Sequence, residues 1–497
     1  MRTVTGITQR VVVVGAGLGG LACALHLRAS GRDVTVIERE AIAGGLAGRL
    51  SLGGYEFDTG PTVLTLPELV AEALGAVNER LDDWLELTRL DPVYRAHFHD
   101  GSTLDVIAQP ERMAEEIARV CGGREAAGYL RFVEHVTRLW RYERRNFIER
   151  NLDGPRDMLS LDLLRLAGTG ALRHMYAKNR QFFSDPRTRR VFSFQALYAG
   201  LSPFDALALY SVITYLDSVS GAYFPRGGVH AVPHALARAA EKHGVQFRYG
   251  TSVDCVDIHN GRATGVVTED GDRIPADAVV LNPDLPVAYR DLLQSAPRRL
   301  RRLRHSPSAV VLHIGSKQRY AKIAHHNIHF GQSWRSTFGE IIGDGKLMSD
   351  PSLFVTNPTR TDPGLAPPGR ETYYVLALAP NLTAGGLDWR GRLAREYAGE
   401  LIATLEARGY LDFGAGIEVS HVVTPVEWAD AGLAAGTPFS LAHTVWQSGP
   451  TRPPNLDPRL PNVVFVGAGT RPGVGVPMVL VSGKLAAQRI TGESRDT

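Results

Sequence analysis

The sequence predicts an α/β fold, in which a parallel-sheet domain is built from separated stretches of chain and an α+β domain is threaded through the gaps. Three observations carry this. Arg10–Val14 and Asp33–Ile37 are short runs rich in β-branched residues, separated by a glycine-rich turn and a helically spaced stretch, which reads as β–α–β. Residues 278–281 form another apolar, strand-like run in the middle of the chain. Residues 463–466, Val-Val-Phe-Val, repeat the opening device and again lead into Gly-Ala-Gly.

Composition bounds the rest. The 497 residues carry 55 Lys+Arg against 52 Asp+Glu, a net charge of +3. Hydrophobic residues are 44% and charged residues 22%, which fits a folded globular chain and excludes disorder, collagen and a disulfide scaffold. So small a basic excess argues against a nucleic-acid partner. Cys23, Cys121 and Cys255 are scattered and form no C-x-x-C. Neither a zinc site nor a disulfide framework is expected, and a reducing, cytoplasmic compartment is. Residues 1–10 lack an apolar signal core, and the uncharged stretch 11–27 is glycine-rich, so it reads as strand–loop–helix rather than as a spanning helix. The 52 glycines are about one residue in ten, against about 7% on average.

Along the chain, helical patterns dominate residues 67–216. Tyr129, Phe132, Val133, Val136, Leu139 and Trp140 follow helical spacing. The arginines and aromatics of 138–150 make that helix a candidate membrane-surface contact as well as a solvated face. Near Gly244 the pattern returns to strands, at 247–249, 251–258 and 263–268, with Asn260-Gly261 as a hairpin turn. Residues 297–430 mix strands and helices.

The chemistry-bearing signal is Gly15-Ala-Gly17-Leu-Gly19-Gly20. Gly15 permits the tight turn, Gly17 lets the backbone approach a pyrophosphate, and Gly20 lets helix pack on strand. The helix N-terminus then offers free N–H groups to the phosphates. Glu38 ends the second strand about twenty residues on, where an acid holds the ribose hydroxyls. An acid there disfavours a 2′-phosphate, so FAD or NAD is expected rather than NADP. Gly44-Gly45 follows and fits a loop passing close to the cofactor. The densest glycine cluster, Gly467 to Gly475, precedes the helix-compatible run 478–490, whose N-terminus can stabilise negative charge on a reduced flavin.

With these segments in place, the sequence resembles the bacterial and fungal carotenoid desaturases, typified by phytoene desaturase, within the FAD-dependent amine-oxidase-like superfamily. The likeness runs nearly end to end. Its markers include residues 57–63 (FDTGPTV), 192–197 (FSFQAL), 223–228 (YFPRGG), 348–362 (MSDPSLFVTNPTRTD) and 466–470 (VGAGT). The resemblance implies one FAD, held by Gly15, Gly17, Gly20, Glu38, Arg39, Gly44, Gly45, Thr62, Val253, Gly469, Val476 and Met478. It implies a Rossmann-like FAD-binding domain from segments 1–75, 226–295 and 431–497. The interleaved substrate and membrane-facing domain takes 76–225, mainly helical, and 296–430. Leu46 stands where the family has Arg, leaving Arg49 as the candidate pyrophosphate partner, while Arg471 and Met478 replace a family His and Gly.

The implied reaction introduces double bonds into phytoene, giving lycopene. Such a substrate has no polar handle, so binding comes from apolar burial at about 25 cal/mol per Å² in an elongated channel. The flavin carries the hard step, and Asp157, in Arg156-Asp157-Met158-Leu159, is the candidate acid/base. A peripheral membrane surface is an expected partner, with the basic, leucine-spaced stretch 297–304 as a docking candidate. A quinone or oxygen is the expected electron acceptor. Three rivals stand beside this reading: a carotenoid oxidoreductase acting on a diapocarotenoid, hydroxylated or terminal group; an amine or porphyrinogen oxidase; and a non-catalytic prenyl-binding relative of the same fold.

Overall fold

A computed structural model describes residues 1–158 and 161–493. Its first layer is a five-stranded, all-parallel sheet in the order Gln246–Arg248, Asp33–Ile37, Arg10–Val14, Ala278–Leu281, Val463–Phe465. Strands from both ends and the middle of the chain therefore meet, as the three opening observations require. Val11, Val12, Val13 and Val14 are all buried, because helices cover one face and an antiparallel sheet the other. That explains a continuous apolar run in place of alternation.

The covering helices are Leu18–Ala29, Ala231–Lys242 and Val476–Thr491. The first and last touch so closely that a Cβ on Gly483 would lie 2.5 Å from the Gly19 carbonyl oxygen. On the other face lie Val253–His259, Arg262–Thr268 and Arg273–Pro275. The first two join at Asn260 (φ 49°) and Gly261 (φ 74°), the left-handed pair that a two-residue hairpin requires.

The second domain is built on a seven-stranded sheet, in the order Ile417–Val423, Ser308–Ser316, Glu371–Ala379, Leu353–Thr356, His326–His329, Tyr94–His97, Thr103–Val106. Its neighbours are antiparallel except His326–His329 beside Tyr94–His97. The last two strands fall inside the stretch expected to be mainly helical. Each has only four residues, too few for a period-2 pattern to stand out from the helices that follow. Helix Gly123–Glu143 buries Tyr129, Phe132, Val136, Leu139 and Trp140, so the helical spacing marks a true inward face. The helix's aromatic side thus faces the interior, while Leu130, Arg131, Glu134, Arg138 and Arg141 point outward. Among the described residues, no helix is long and apolar enough to cross a membrane.

Candidate active site

The carboxyl ends of the central parallel strands open into one cavity of about 1520 Å³. That exceeds the 300–1,000 Å³ usual for a single small-ligand pocket, leaving room for a cofactor and a substrate together.

At the sheet end the cavity wall is glycine. Gly15 has φ 98°, turning the chain out of the first strand, and its N–H donates to Ile37 O at 2.8 Å, the last bond of the ladder to the second. A Cβ on Gly17 would lie 2.7 Å from Asn282 Oδ1, and one on Gly20 only 2.2 Å from Gly15 O. Gly44 N–H donates to Ala16 O at 3.0 Å, and Gly45 (φ 56°) has space for a Cβ only 3.2 Å from Gly17 Cα. The two glycine loops thus lie against each other. Glu38 is buried, and its carboxylate accepts from the N–H groups of Ala16 (2.6 Å) and Glu40 (3.0 Å). Each oxygen keeps a second lone pair for a ribose hydroxyl.

The C-terminal glycine cluster forms the facing wall. Gly469 packs where a Cβ would meet Leu285 Cβ at 2.6 Å, and Gly473 (φ 144°) where it would meet His443 Nε2 at 2.1 Å. Asn282 ties the walls together. Its Oδ1 accepts from Gly20 N–H at 3.2 Å and its Nδ2 donates to Val466 O at 3.4 Å. Sequence reasoning passed over Asn282, although its place just after the third apolar strand matches that of Gly15 and Gly467 after theirs.

Of the residues expected at the cofactor, Gly15, Gly17, Glu38, Arg39, Gly44, Gly45, Thr62, Val253, Gly469, Val476 and Met478 all line this cavity. Gly20 does not; it sits at the contact between helix and strand, the packing role of the third glycine. Leu46 and Arg49 also line it, and Arg49 Nε donates to Glu56 at 2.6 Å. Asp157 is absent from the lining. Its Oδ2 accepts from the N–H groups of Asp153 (2.5 Å) and Gly154 (3.0 Å), which hold the carboxylate below its usual range and make it the cap of its own turn. The following Leu159 lies outside the described residues.

A glycine cradle, two helix N-termini and a strand-end acid suit a dinucleotide. The profile of the flavin containing amine oxidoreductases matches residues 18–491. The chain belongs to this family. It is an FAD-dependent oxidoreductase, and within the family it stands with the carotenoid desaturases. A phytoene dehydrogenase of Streptomyces griseus is 54% identical over 99% of this chain and 97% of its own length. A zeta-carotene-forming phytoene desaturase of Myxococcus xanthus is 39% identical over 97% and 94%. An oxidoreductase of Methanosarcina mazei shares the fold at TM-score 0.62 and 16% identity, over 96% of this chain and 99% of its own. FAD fits the cradle: Gly15–Gly17 and the helix N-termini would hold its phosphates, and Glu38 its ribose.

Away from the glycine walls this flavoenzyme's cavity is apolar and aromatic. Phe194, Phe330, Trp334, Phe338, Leu376 and Leu378 line it, with Phe330 and Trp334 in edge contact at 5.3 Å. Trp140 lines it too, beside Phe147 and Ile148. Polar groups not singled out from sequence for a role interrupt this lining, among them Glu143, Asp217, Tyr210 and His443. Tyr210 donates to the His443 carbonyl at 3.1 Å, and burial drives the His443 imidazole well below its ordinary value, so it is neutral.

Arg471 has a structural explanation. Buried at the cavity wall, it donates to the carbonyls of Leu152, Pro450 (2.8 Å) and Arg452 (3.3 Å). Arg452, fully buried behind it, donates to the carbonyls of Ala468 (2.5 Å) and Thr470 (3.0 Å). Neither guanidinium has a carboxylate partner within ion-pair distance among the described residues. Two buried cations therefore brace the glycine loop from behind.

At the mouth, Leu172 and Val445 line the cavity and are 58% and 55% exposed, next to Trp446 at 80%. The basic stretch abuts this lip. Arg299 donates to the Thr451 carbonyl, and Arg304 N–H to Gln447 Oε1 at 2.7 Å. Leu300 and Leu303 pack inward while Arg298, Arg299, Arg301, Arg302 and Arg304 stay exposed.

Proposed function

We propose that this flavoenzyme desaturates phytoene in repeated turnovers toward lycopene. The observation that carries the reading is the continuity of one cavity from the glycine cradle to a largely apolar, aromatic compartment. A pure hydrocarbon gains about 25 cal/mol for each Å² it buries there, and a polar amine would lose its hydration with little in return. When bound, FAD supplies the hydride acceptor. The chain's own work is to hold the polyene against the cradle, to keep water out with Phe194, Phe330 and Trp334, and to receive a proton. One relative forms zeta-carotene, so the end product measures the number of turnovers.

Expression in a host that accumulates phytoene tests this. Coloured polyenes should form, lycopene as the end product. Accumulation of zeta-carotene would correct the step count, and unchanged phytoene would overturn the reading.

A substrate dissolved in lipid needs a docked mouth. The lip of Leu172, Val445 and Trp446, beside five exposed arginines, suits an anionic membrane surface, where each basic residue contributes about 1 kcal/mol. Binding to anionic vesicles should weaken in high salt and in a Trp446→Ser, Arg301→Glu variant. Equal flotation of variant and parent would exclude this lip. The reading also assigns reoxidation of the flavin to a quinone or oxygen, which anaerobic turnover with and without added quinone distinguishes.

A further inference from the structure

Of the carboxyl groups that line the cavity, Glu143 and Asp217 come from the helical domain, whereas Glu38, Asp254, Asp284 and Asp291 come from the domain of the parallel sheet. The first two are held differently. Glu143 Oε1 is sealed from solvent with no hydrogen-bond partner, so burial keeps this carboxyl protonated. Asp217 is fixed by donors. Its Oδ1 accepts from Ser218 Oγ at 2.7 Å and its Oδ2 from Gln195 Nε2 at 3.4 Å. Gln195 is fully buried and anchored in turn, donating to Val191 O at 3.1 Å. Asp217 lies in Leu216–Ser220, a widened π-turn that continues helix Val212–Tyr215; such turns recur at functional sites. This turn packs against Leu64–Thr65, the strand that follows Thr62 at the cofactor wall. Asp217 thus lies where the cofactor wall meets the aromatic compartment, with its orientation fixed by Ser218 and Gln195.

We propose that Asp217 is the proton acceptor of the dehydrogenation. The proposal rests on the function read above. One C–H bond of the hydrocarbon breaks with its electron pair leaving as hydride to the flavin, which is the oxidant. The C–H bond on the neighbouring carbon breaks with its proton passing to the Asp217 carboxylate, and its electron pair closes the new C=C bond. A carboxylate in a dry, apolar wall also stabilises the positive charge that develops between the two events.

The titratable neighbours acting on Asp217 are Tyr94, Tyr129 and Tyr198, each kept protonated by burial. Tyr215 and Tyr223 sit on the adjoining helix and strand. No described cation lies within ion-pair distance, so burial governs Asp217 and pushes it up to about 7. A base poised there both takes a proton and returns it to solvent near neutral pH.

Asp217→Asn and Asp217→Glu test this, with three readouts: flavin content, rate against pH, and the infrared carboxyl band of protein labelled with ¹³C-aspartate. Expected for Asn are flavin content near that of the parent, loss of the band titrating near pH 7, and a rate lower by about a hundredfold or more. Expected for Glu is partial rescue with a displaced acidic limb. An Asn variant within about threefold of the parent would overturn the proposal. If Asn does not load flavin, the Glu variant decides, and an unmoved acidic limb overturns it. A parent that leaves phytoene untouched fails the functional reading instead; the infrared band then decides alone, and its absence overturns the assignment of Asp217.

Discussion

Replacing Asp217 by Asn removes a buried ionisable group while nearly preserving its volume, so its effect on stability depends on pH. Burial raises this carboxyl from its ordinary 3.8 to about 7. The fold binds the proton more tightly than the unfolded chain does, so this contribution to stability is full below pH 3.8 and is lost as pH rises through about 7. At 1.36 kcal/mol per tenfold change in proton affinity, the loss is roughly 4 kcal/mol at alkaline pH, of which roughly 2–3 accrues between about pH 5 and 8. The local hydrogen bonding survives the change. Ser218 Oγ can still donate to the amide oxygen, and Gln195 Oε1, which has no partner, can accept from the new NH₂. Asp58, raised to about 6 by burial, and Glu143 are common to both proteins and cancel in the difference. Denaturant unfolding of parent and variant across this range, both with flavin bound, measures the gap. The variant should gain relative stability as pH rises toward about 7 and level off by pH 8. A gap that is flat, or that narrows with rising pH, would refute the account of a desolvated Asp217.

Three further outcomes follow from the geometry. Gly20→Ala forces a Cβ to 2.2 Å from Gly15 O, so the first helix must leave the sheet and the purified protein should lack flavin absorbance. Gly399→Ala, in helix Leu393–Ala407 with open space around its Cα, should instead raise stability by about 0.5–1 kcal/mol, read from the denaturant midpoint. Arg471→Ala strips donors from the carbonyls of Leu152, Pro450 and Arg452; at about 1.5–3 kcal/mol per charged hydrogen bond, stability should fall by several kcal/mol and flavin should be released more readily.

What was legible in the sequence was local. Four consecutive valines require a strand buried on both faces, and Gly15, Gly17 and Gly44 occupy positions whose φ or close contacts exclude a Cβ. These constraints act within a few residues, so spacing reveals them. The site's polar members are nonlocal. Asn282 faces Gly20 from 262 positions away, and Asp217 is held by Gln195 from 22; the end of an apolar strand marks Asn282, and nothing nearby marks Asp217. Helical spacing grouped Trp140 with Phe132 and Val136 on one face. It did not say whether that face meets lipid or core, and the burial of Phe132, Val136 and Trp140 decides for core. Asp157 stood out by its short family-like context, whereas its carboxylate is spent on two backbone N–H groups.

The central claim is that one cavity brings FAD and a long hydrocarbon together for dehydrogenation. Its most direct test is anaerobic mixing of the flavin-loaded protein with phytoene in vesicles, following the flavin and polyene absorbances together. The account requires the flavin band to bleach as a longer conjugated polyene appears, one double bond for each flavin reduced. A flavin that stays oxidised with phytoene but is bleached by an amine would contradict it.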